Sequence, residues 1–350
     1  MTPALSVLSA GLLTTVQDKG RVGYQHLGIP VSGALDMVSL SAANLLVGNG
    51  ADTAALEIAY QGPTLAVEAD SVRLACAGAS TPIDILPGGD AARARRLHMF
   101  TSARLERGDQ IRIGALSGGA VLYLAAEGGF DLPVVLGSRS TLLRAGIGGL
   151  DGRALAAGDR VRLCRSRATT VGEVMLAALD LSPPPFFRII LGPQDDYFTA
   201  EALGRLTAES YWVTPASDRM GMRLTGARLA HSKGYNIISD AIAPGTVQVP
   251  GNGLPIVLLA DRQTTGGYPK IATVISADLA ALGRLTPGQQ VRFQRVDIEA
   301  AEAACRTQAA FIASLSQKIV PAAEPASVDE TALQRANLVS GMIDALAGEA

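Results

Sequence analysis

Short apolar segments alternate with glycine-rich polar segments along most of this 350-residue chain. Several of them show the every-second-residue alternation of a half-buried strand, and others are continuous enough for a fully buried one. Aromatic residues make up only 4% of the chain, so the core must consist mainly of Ala, Val, Leu and Ile. Strands are predicted at residues 6–8, 56–59, 72–76, 120–125, 187–191 and 255–260.

Helical periodicity is confined to a few places. Asp36 is placed to cap a helix in which Leu40, Ala43 and Leu46 recur at helical spacing, and Gly48 follows as a stop. An Ala-rich helix is predicted over residues 298–315, and a capping box at 327–330 predicts another after it. The fold class is therefore mainly β with a few helices.

A turn containing glycine that leads into an alternating strand recurs at residues 104–113, 154–163 and 284–293. Its presence in both halves indicates two related β-barrels. Three consecutive prolines at 183–185 predict a stiff linker between them. We therefore predict an N-terminal subdomain at 1–183, a second barrel at 184–297 and a helical C-terminal extension at 298–350.

Charge and cysteine content exclude several classes of function. A formal net charge of −2 gives no electrostatic basis for binding nucleic acid or an anionic membrane. No apolar run has the length of a membrane span, and no signal peptide is evident at the N-terminus. Three scattered cysteines form neither a disulfide framework nor a metal motif. We expect a cytoplasmic protein that holds no metal.

The densest polar segment follows the predicted strand at 255–260. Asp261 could handle protons there, and Lys270 could stabilise an oxyanion formed from an amide carbonyl. Only four of the 30 basic residues are lysine, so a lysine in this loop suggests a need for a compact ammonium group. A simple Lys–Asp surface pair is the structural alternative. The predicted substrate-binding residues of this segment are Arg262, Thr265, Gly266, Gly267 and Tyr268.

Two further glycine-rich loops carry candidate residues. The loop at 11–28 contains Gln17 and His26, which could bind a small amide or act as a base. Mutual hydrogen bonding within the loop is the alternative. The loop at 137–149 contains Arg139, whose guanidinium could pair with a carboxylate. A fourth segment, 217–224, combines Asp218 and Arg219, and a turn stitched by that pair is its structural interpretation.

These segments, in this order, resemble the allophanate hydrolase subunit 2 or Kip-antagonist family, also described as biotin-dependent carboxyltransferase subdomains A and B. Residues 259–270, Leu-Ala-Asp-Arg-Gln-Thr-Thr-Gly-Gly-Tyr-Pro-Lys, carry the strongest similarity. The other matching stretches are 11–28, 30–36, 44–49, 128–149, 217–224 and 244–278, so the resemblance spans nearly all of residues 5–297.

The resemblance implies cyclophilin-like β-barrel subdomains and a multi-subunit assembly. It implies a Kip-inhibitor-like partner, equivalent to carboxyltransferase subdomains C and D, and a third polypeptide in the 5-oxoprolinase members of the family. The sequence itself contains no phosphate-binding P-loop and no Met-Lys-Met biotinylation site. We therefore expect no cofactor to be bound by this chain alone, with ATP or biotin supplied through partner subunits.

Three functions are compatible with that resemblance. The first is a subunit of an ATP-dependent 5-oxoprolinase, which opens the lactam of 5-oxoproline to glutamate and is inactive without its partners. The second is the carboxyltransferase component of a biotin-dependent carboxylase acting on urea or a related amide. The third is a non-catalytic antagonist that binds a Kip-type kinase inhibitor. All three use the same loops, so the residues alone do not rank them.

Overall fold

A computed structural model describes residues 2–177 and 179–322 of the chain. Its strands are β1 Ala4–Ser9, β2 Leu13–Gln17, β3 Ala55–Ala59, β4 Thr64–Val67, β5 Ser71–Ser80, β6 Ile83–Leu86, β7 Arg95–Arg96, β8 Ser102–Glu106, β9 Gln110–Ile113, β10 Ser117–Ala126, β11 Arg160–Arg162, β12 Val174–Leu176, β13 Phe187–Leu191, β14 Tyr211–Val213, β15 Gly221–Gly226, β16 Asp240–Ala241, β17 Thr246–Gln248, β18 Ile256–Leu258, β19 Thr265–Gly266, β20 Lys270–Val274, β21 Gln290–Val291, β22 Phe293–Arg295 and β23 Ile319–Pro321. The α-helices are α1 Met37–Leu46, α2 Ala200–Ala208, α3 Leu279–Gly283 and α4 Ile298–Ser314. The mainly β fold with a few helices is confirmed.

The first eleven strands form an N-terminal unit of two facing sheets. One sheet has the order β11-β1-β4-β9-β6-β7 and the other β2-β3-β10-β5-β8. Apolar side chains from both sheets, such as Leu5, Leu65, Ile58 and Leu122, fill the space between them. The second sheet is also covered on its outer face, which explains why β5 and β10 are apolar almost throughout.

Helix α1 covers that outer face. Small residues on the sheet, including Ala75 and Ala77, let the helix approach closely, and Leu40 and Leu46 pack onto them. Asp36 caps the helix by accepting hydrogen bonds from the backbone N–H groups of Val38 and Ser39, as predicted. Its position is important for the site, because the segment just before it faces the second half of the molecule.

The second half forms a C-terminal barrel of eight strands in the order β21-β14-β15-β18-β17-β20-β13-β22. The two edge strands, β21 and β22, are separated by a single residue in the chain. The sheet therefore curls until its edges nearly meet. Its core includes Phe187, Val247, Ile271 and Phe293.

A C-terminal segment connects the two halves. Helix α4 follows β22, and β23 then pairs with β12 in an antiparallel ladder that joins Ile319 to Leu176. The helix predicted over 298–315 is confirmed as Ile298–Ser314. The helix predicted from the capping box at 327–330 lies outside the described residues. None of the helices within the described ranges is long and apolar enough to cross a membrane.

Candidate functional site

A buried ionic cluster joins the N-terminal unit to the C-terminal barrel. The guanidinium of Arg219 makes a bidentate pair with Asp261, through Nε to Oδ2 at 2.8 Å and Nη2 to Oδ1 at 3.1 Å. Its Nη1 pairs with Glu57 of strand β3 in the other unit. All three side chains are less than 10% exposed, so the cluster is shielded from water. Charges held this way fix the relative position of the two halves.

Hydroxyl groups extend the cluster on both sides. Ser32 donates its Oγ–H to Asp261 over 2.5 Å, and the Tyr123 hydroxyl donates to Glu57. Burial and the negative charges of Glu57 and Asp36 raise the pKa of Tyr123 well above its usual value. Burial would lower the pKa of Arg219, but the two carboxylates more than offset this effect and raise it. Arg219 therefore remains a cation and Tyr123 a neutral donor.

A tight turn presents Arg219 to the cluster. The carboxylate of Asp218 accepts hydrogen bonds from the backbone N–H groups of Met220 and Gly221, at 2.8 and 3.1 Å. Asp218 is thus used to stabilise the turn, while the neighbouring arginine reaches across to the other unit. The interpretation of 217–224 as a turn stitched by an Asp218–Arg219 pair is wrong, because Arg219 pairs with Glu57 and Asp261 instead.

Lys270 lies at the start of strand β20 in a different part of the barrel. Its side chain is only 4% exposed, and Nζ is 2.6 Å from the carboxylate of Asp240, which is itself half-exposed. The ammonium lowers the pKa of Asp240 through a hydrogen bond and through its charge. The lysine is therefore a buried cation whose one carboxylate partner among the described residues stands on the solvent side.

The loop between Asp261 and Lys270 is held against the barrel by a two-stranded ladder. In it, Asp240 is opposite Gly266 and Ala241 is opposite Thr265. A Cβ at Gly266 would lie 2.6 Å from the amide nitrogen of Gln248, so only glycine fits without a shift. Gly267 receives the backbone N–H of Ile237 on its carbonyl. This ladder places the carboxylate of Asp240 over Lys270.

The same loop borders an open cleft of about 300 Å³. Tyr268, which is 41% exposed, lines the cleft together with Gln263 from the loop and Arg223 and Gln248 from the barrel strands. These are hydrogen-bonding side chains on an otherwise apolar surface, which is the usual composition of a small-molecule site.

Arg262 points to a different space. Its side chain is 2% exposed and lines a pocket of about 120 Å³ between the two halves. Its Nε and Nη1 donate to the carbonyl oxygens of Ile242 and Leu259 at 3.3 and 3.4 Å. Burial lowers the pKa of Arg262 to about 10. Within the described residues, no Asp or Glu forms an ion pair with this guanidinium.

The two glycine-rich loops pack on each other around Asp18. Its carboxylate accepts hydrogen bonds from Ser138 Oγ, Ser140 Oγ and the backbone N–H of Arg139, at 2.5 to 2.6 Å. Gln17 is fully buried and donates to the carbonyl of Thr141 at 3.1 Å. Its Oε1 has no hydrogen-bond partner among the described residues, nor do Nε and Nη1 of the buried Arg21. A bound water or a small polar ligand would satisfy these atoms.

The structure places the predicted residues in separate groups. Gln17 and Asp261 are connected, because Ser32 bonds to both the Thr141 carbonyl and Asp261. Arg139 reaches this region through its backbone, while its side chain donates to the carbonyl of Leu132. His26 is exposed on a 3₁₀ turn, Gln25–Leu27, and makes no hydrogen bond within the described residues.

Sequence reasoning did not identify Glu57, Asp240 or Tyr123 as members of a site. Glu57 stands in an apolar run of β3, and a charged residue at a buried strand position is a signal that could have been used. Asp240 carries no comparable signal, because it lies in an exposed polar segment. Within the described residues, no three His, Cys, Asp or Glu side chains are grouped as a metal site would require.

Comparisons with known proteins agree with this architecture. Residues 27–295 match the family described as carboxyltransferase domain, subdomain A and B. The C subunit of the Escherichia coli 5-oxoprolinase is 38% identical over 322 residues, covering 90% of this chain and 98% of that protein. The equivalent protein of Haemophilus influenzae is 34% identical, covering 85% of this chain and 93% of that protein.

Among solved structures, the urea amidolyase of K. lactis superposes with a TM-score of 0.79 at 28% identity. The match covers 93% of this chain but 21% of that much longer one. The relationship predicted from the sequence motifs is confirmed, and the chain belongs to the family of carboxyltransferase domains with subdomains A and B.

Proposed function

We propose that the chain is the C subunit of an ATP-dependent 5-oxoprolinase. The observation that carries this proposal is the near end-to-end match to the C subunits of two bacterial 5-oxoprolinases, of which it covers 98% and 93%. The match to urea amidolyase covers only 21% of that chain. The extent of the match therefore favours a separate polypeptide of a 5-oxoprolinase.

The proposed enzyme needs partner polypeptides. The relatives are named as subunits, and the sequence of this chain carries no P-loop with which to bind ATP. We assign ATP use to a Kip-inhibitor-like partner and a third polypeptide, while this chain contributes to the substrate site. Under the carboxyltransferase alternative, biotin would also come from a partner.

Lys270 is the residue we propose to stabilise charge on the lactam carbonyl oxygen. Its ammonium is buried, which strengthens its interaction with a developing oxyanion. The half-exposed carboxylate of Asp240 must give way for a substrate oxygen to reach Nζ. We propose that Asp261 positions Ser32 and Arg219 rather than moving protons, because both of its oxygens are already engaged.

The other predicted residues have less direct support. Tyr268 and the Thr265–Gly266 ladder border the cleft and are proposed to shape it. Gln17 offers a buried amide oxygen with no partner within the described residues and is proposed to bind a polar group. His26 and Arg139 are the weakest of the proposed site residues, because the imidazole is exposed and the Arg139 guanidinium bonds to a carbonyl.

The test is reconstitution with both partner polypeptides. The complex should form glutamate from 5-oxoproline in the presence of ATP. Lys270→Ala should lower kcat by about 10²-fold, the usual effect of removing one oxyanion donor. Lys233→Ala is the matched control, since Lys233 also pairs with an aspartate but is 55% exposed. Full turnover by Lys270→Ala would remove Lys270 from the site, and no turnover by the wild-type complex would refute the function.

A carboxyltransferase acting on urea is the second candidate. It is favoured by the family match itself and by the superposition on urea amidolyase. It predicts bicarbonate-dependent activity that avidin abolishes, whereas 5-oxoprolinase activity should be insensitive to avidin. Tight binding to a Kip-type inhibitor with neither activity would instead support the antagonist role.

A further inference from the structure

The pocket that contains Arg262, here called the inter-unit pocket, is formed by both halves of the molecule. Val31, Ala34 and Leu35 line it from the N-terminal unit, and Leu258, Leu259 and Leu279 line it from the C-terminal barrel. Its volume of about 120 Å³ corresponds to about four water molecules at ~30 Å³ each. The space is far too small for a nucleotide and suits a small organic molecule.

Arg262 is the single charged side chain among the described residues that line this pocket. Its Nε and Nη1 make long hydrogen bonds to backbone carbonyls, while Nη2 donates to no described residue. A buried guanidinium without a carboxylate is unfavourable, because the carbonyl dipoles replace only part of its hydration. An anion entering the pocket would compensate that buried charge.

The charge balance differs elsewhere between the two halves. Arg219 is already neutralised by Glu57 and Asp261, and Lys270 by Asp240. Arg21 lies under the influence of the charges of Asp18 and Asp261. Burial is the only resolved influence on the pKa of Arg262, and it lowers it. Among these buried cations, Arg262 is therefore the one that lacks a compensating charge.

We propose that the inter-unit pocket binds a small carboxylic acid, with its carboxylate paired to the Arg262 guanidinium and its compact apolar body against the leucines. Resting on the function proposed above, that acid is 5-oxoproline, whose five-membered ring carries one carboxylate. The planar fork of arginine matches a carboxylate bidentately, and apolar walls strengthen the pair. Urea has no carboxylate, so a urea-carboxylating enzyme has no use for this arrangement.

Direct titration tests the pocket without requiring turnover. Three probes are compared by calorimetry on the full-length chain and on its complex: 5-oxoproline, cyclopentanecarboxylate, and 2-pyrrolidinone, which is the same lactam without the carboxylate. The two carboxylates should bind at least about ten-fold more tightly than 2-pyrrolidinone, as expected for a charge-assisted pair. Arg262→Gln should abolish that preference, and Arg262→Lys should retain part of it.

Arg295→Gln is the matched control, because Arg295 is an exposed arginine of the same barrel. It should bind all three probes as the wild type does. An unchanged carboxylate preference in Arg262→Gln overturns the proposal. So does an equal loss of all three probes in a variant that still folds and assembles, or a wild type that binds neither carboxylate.

Kinetics separate this inference from the proposed function. In the active complex, Arg262→Gln should raise the KM for 5-oxoproline at least about ten-fold and change kcat much less. If the complex hydrolyses 5-oxoproline but the variant keeps its KM, only the pocket assignment fails. If the complex is inactive while the carboxylates still bind through Arg262, only the function fails.

Discussion

Arg219 carries a positive charge into a part of the molecule from which water is largely excluded. Three groups compensate it: Asp261 of its own barrel, Glu57 of the opposite sheet and the carbonyl oxygen of Gly33 at 2.6 Å. The arginine therefore contacts two segments of the N-terminal unit as well as the loop that identifies the family. Its position could not be predicted from the sequence, because Glu57 and Arg219 are 162 residues apart.

Removal of this charge should be strongly destabilising. Arg219→Met leaves Glu57 and Asp261 buried and unpaired, which we expect to cost about 3–5 kcal/mol of unfolding free energy. Arg223→Met removes an exposed arginine of the same segment and should change stability by less than about 0.5 kcal/mol. Urea denaturation followed by fluorescence measures both variants. A loss below about 1 kcal/mol in Arg219→Met would show that the cluster does not stabilise the fold.

At the scale of single elements, helix α1 shows what a local pattern can and cannot predict. The cap at Asp36 and the apolar spacing are properties of consecutive residues, so the sequence predicted the helix correctly. The other oxygen of Asp36 accepts a hydrogen bond from Arg284 of the C-terminal barrel at 3.0 Å. That ion pair depends on how the two halves dock, and nothing near Asp36 in the sequence indicates it.

The two roles of Asp36 can be separated by substitution. Asp36→Asn keeps a side-chain oxygen for the helix cap but removes the charge that pairs with Arg284. Asp36→Ala removes both and should lower the unfolding free energy by at least about 2 kcal/mol. We expect the loss in Asp36→Asn to be smaller, as measured by chemical denaturation of the two variants. Equal losses would show that the cap contributes nothing.

At the scale of the whole molecule, the C-terminal segment spans both halves. Gln308 of α4 donates to the carbonyl of Ala277 in the barrel at 2.8 Å. Leu315 is then fully buried against the N-terminal unit, where strand β23 pairs with β12. The sequence predicted helix α4 and a linker at 183–185, but not this return. Pairing between residues 174–176 and 319–321 leaves no local signature, because it depends on the three-dimensional path between them.

This geometry makes Leu315 an anchor for the connection between the halves. Leu315→Ala should cost about 2–5 kcal/mol, because it leaves a cavity in a closed core. Val320→Ala is the control, since Val320 lies on the adjoining strand β23 but is 49% exposed, and its effect should stay within about 0.5 kcal/mol. Hydrogen exchange should locate the effect. Amides of β12 should exchange faster in Leu315→Ala, while those of the barrel core around Ile271 keep their protection, because the segment leaves that core intact. Uniform loss of protection throughout the chain would instead mean that the two halves unfold as one cooperative unit, and Leu315 would then stabilise the whole molecule rather than the connection.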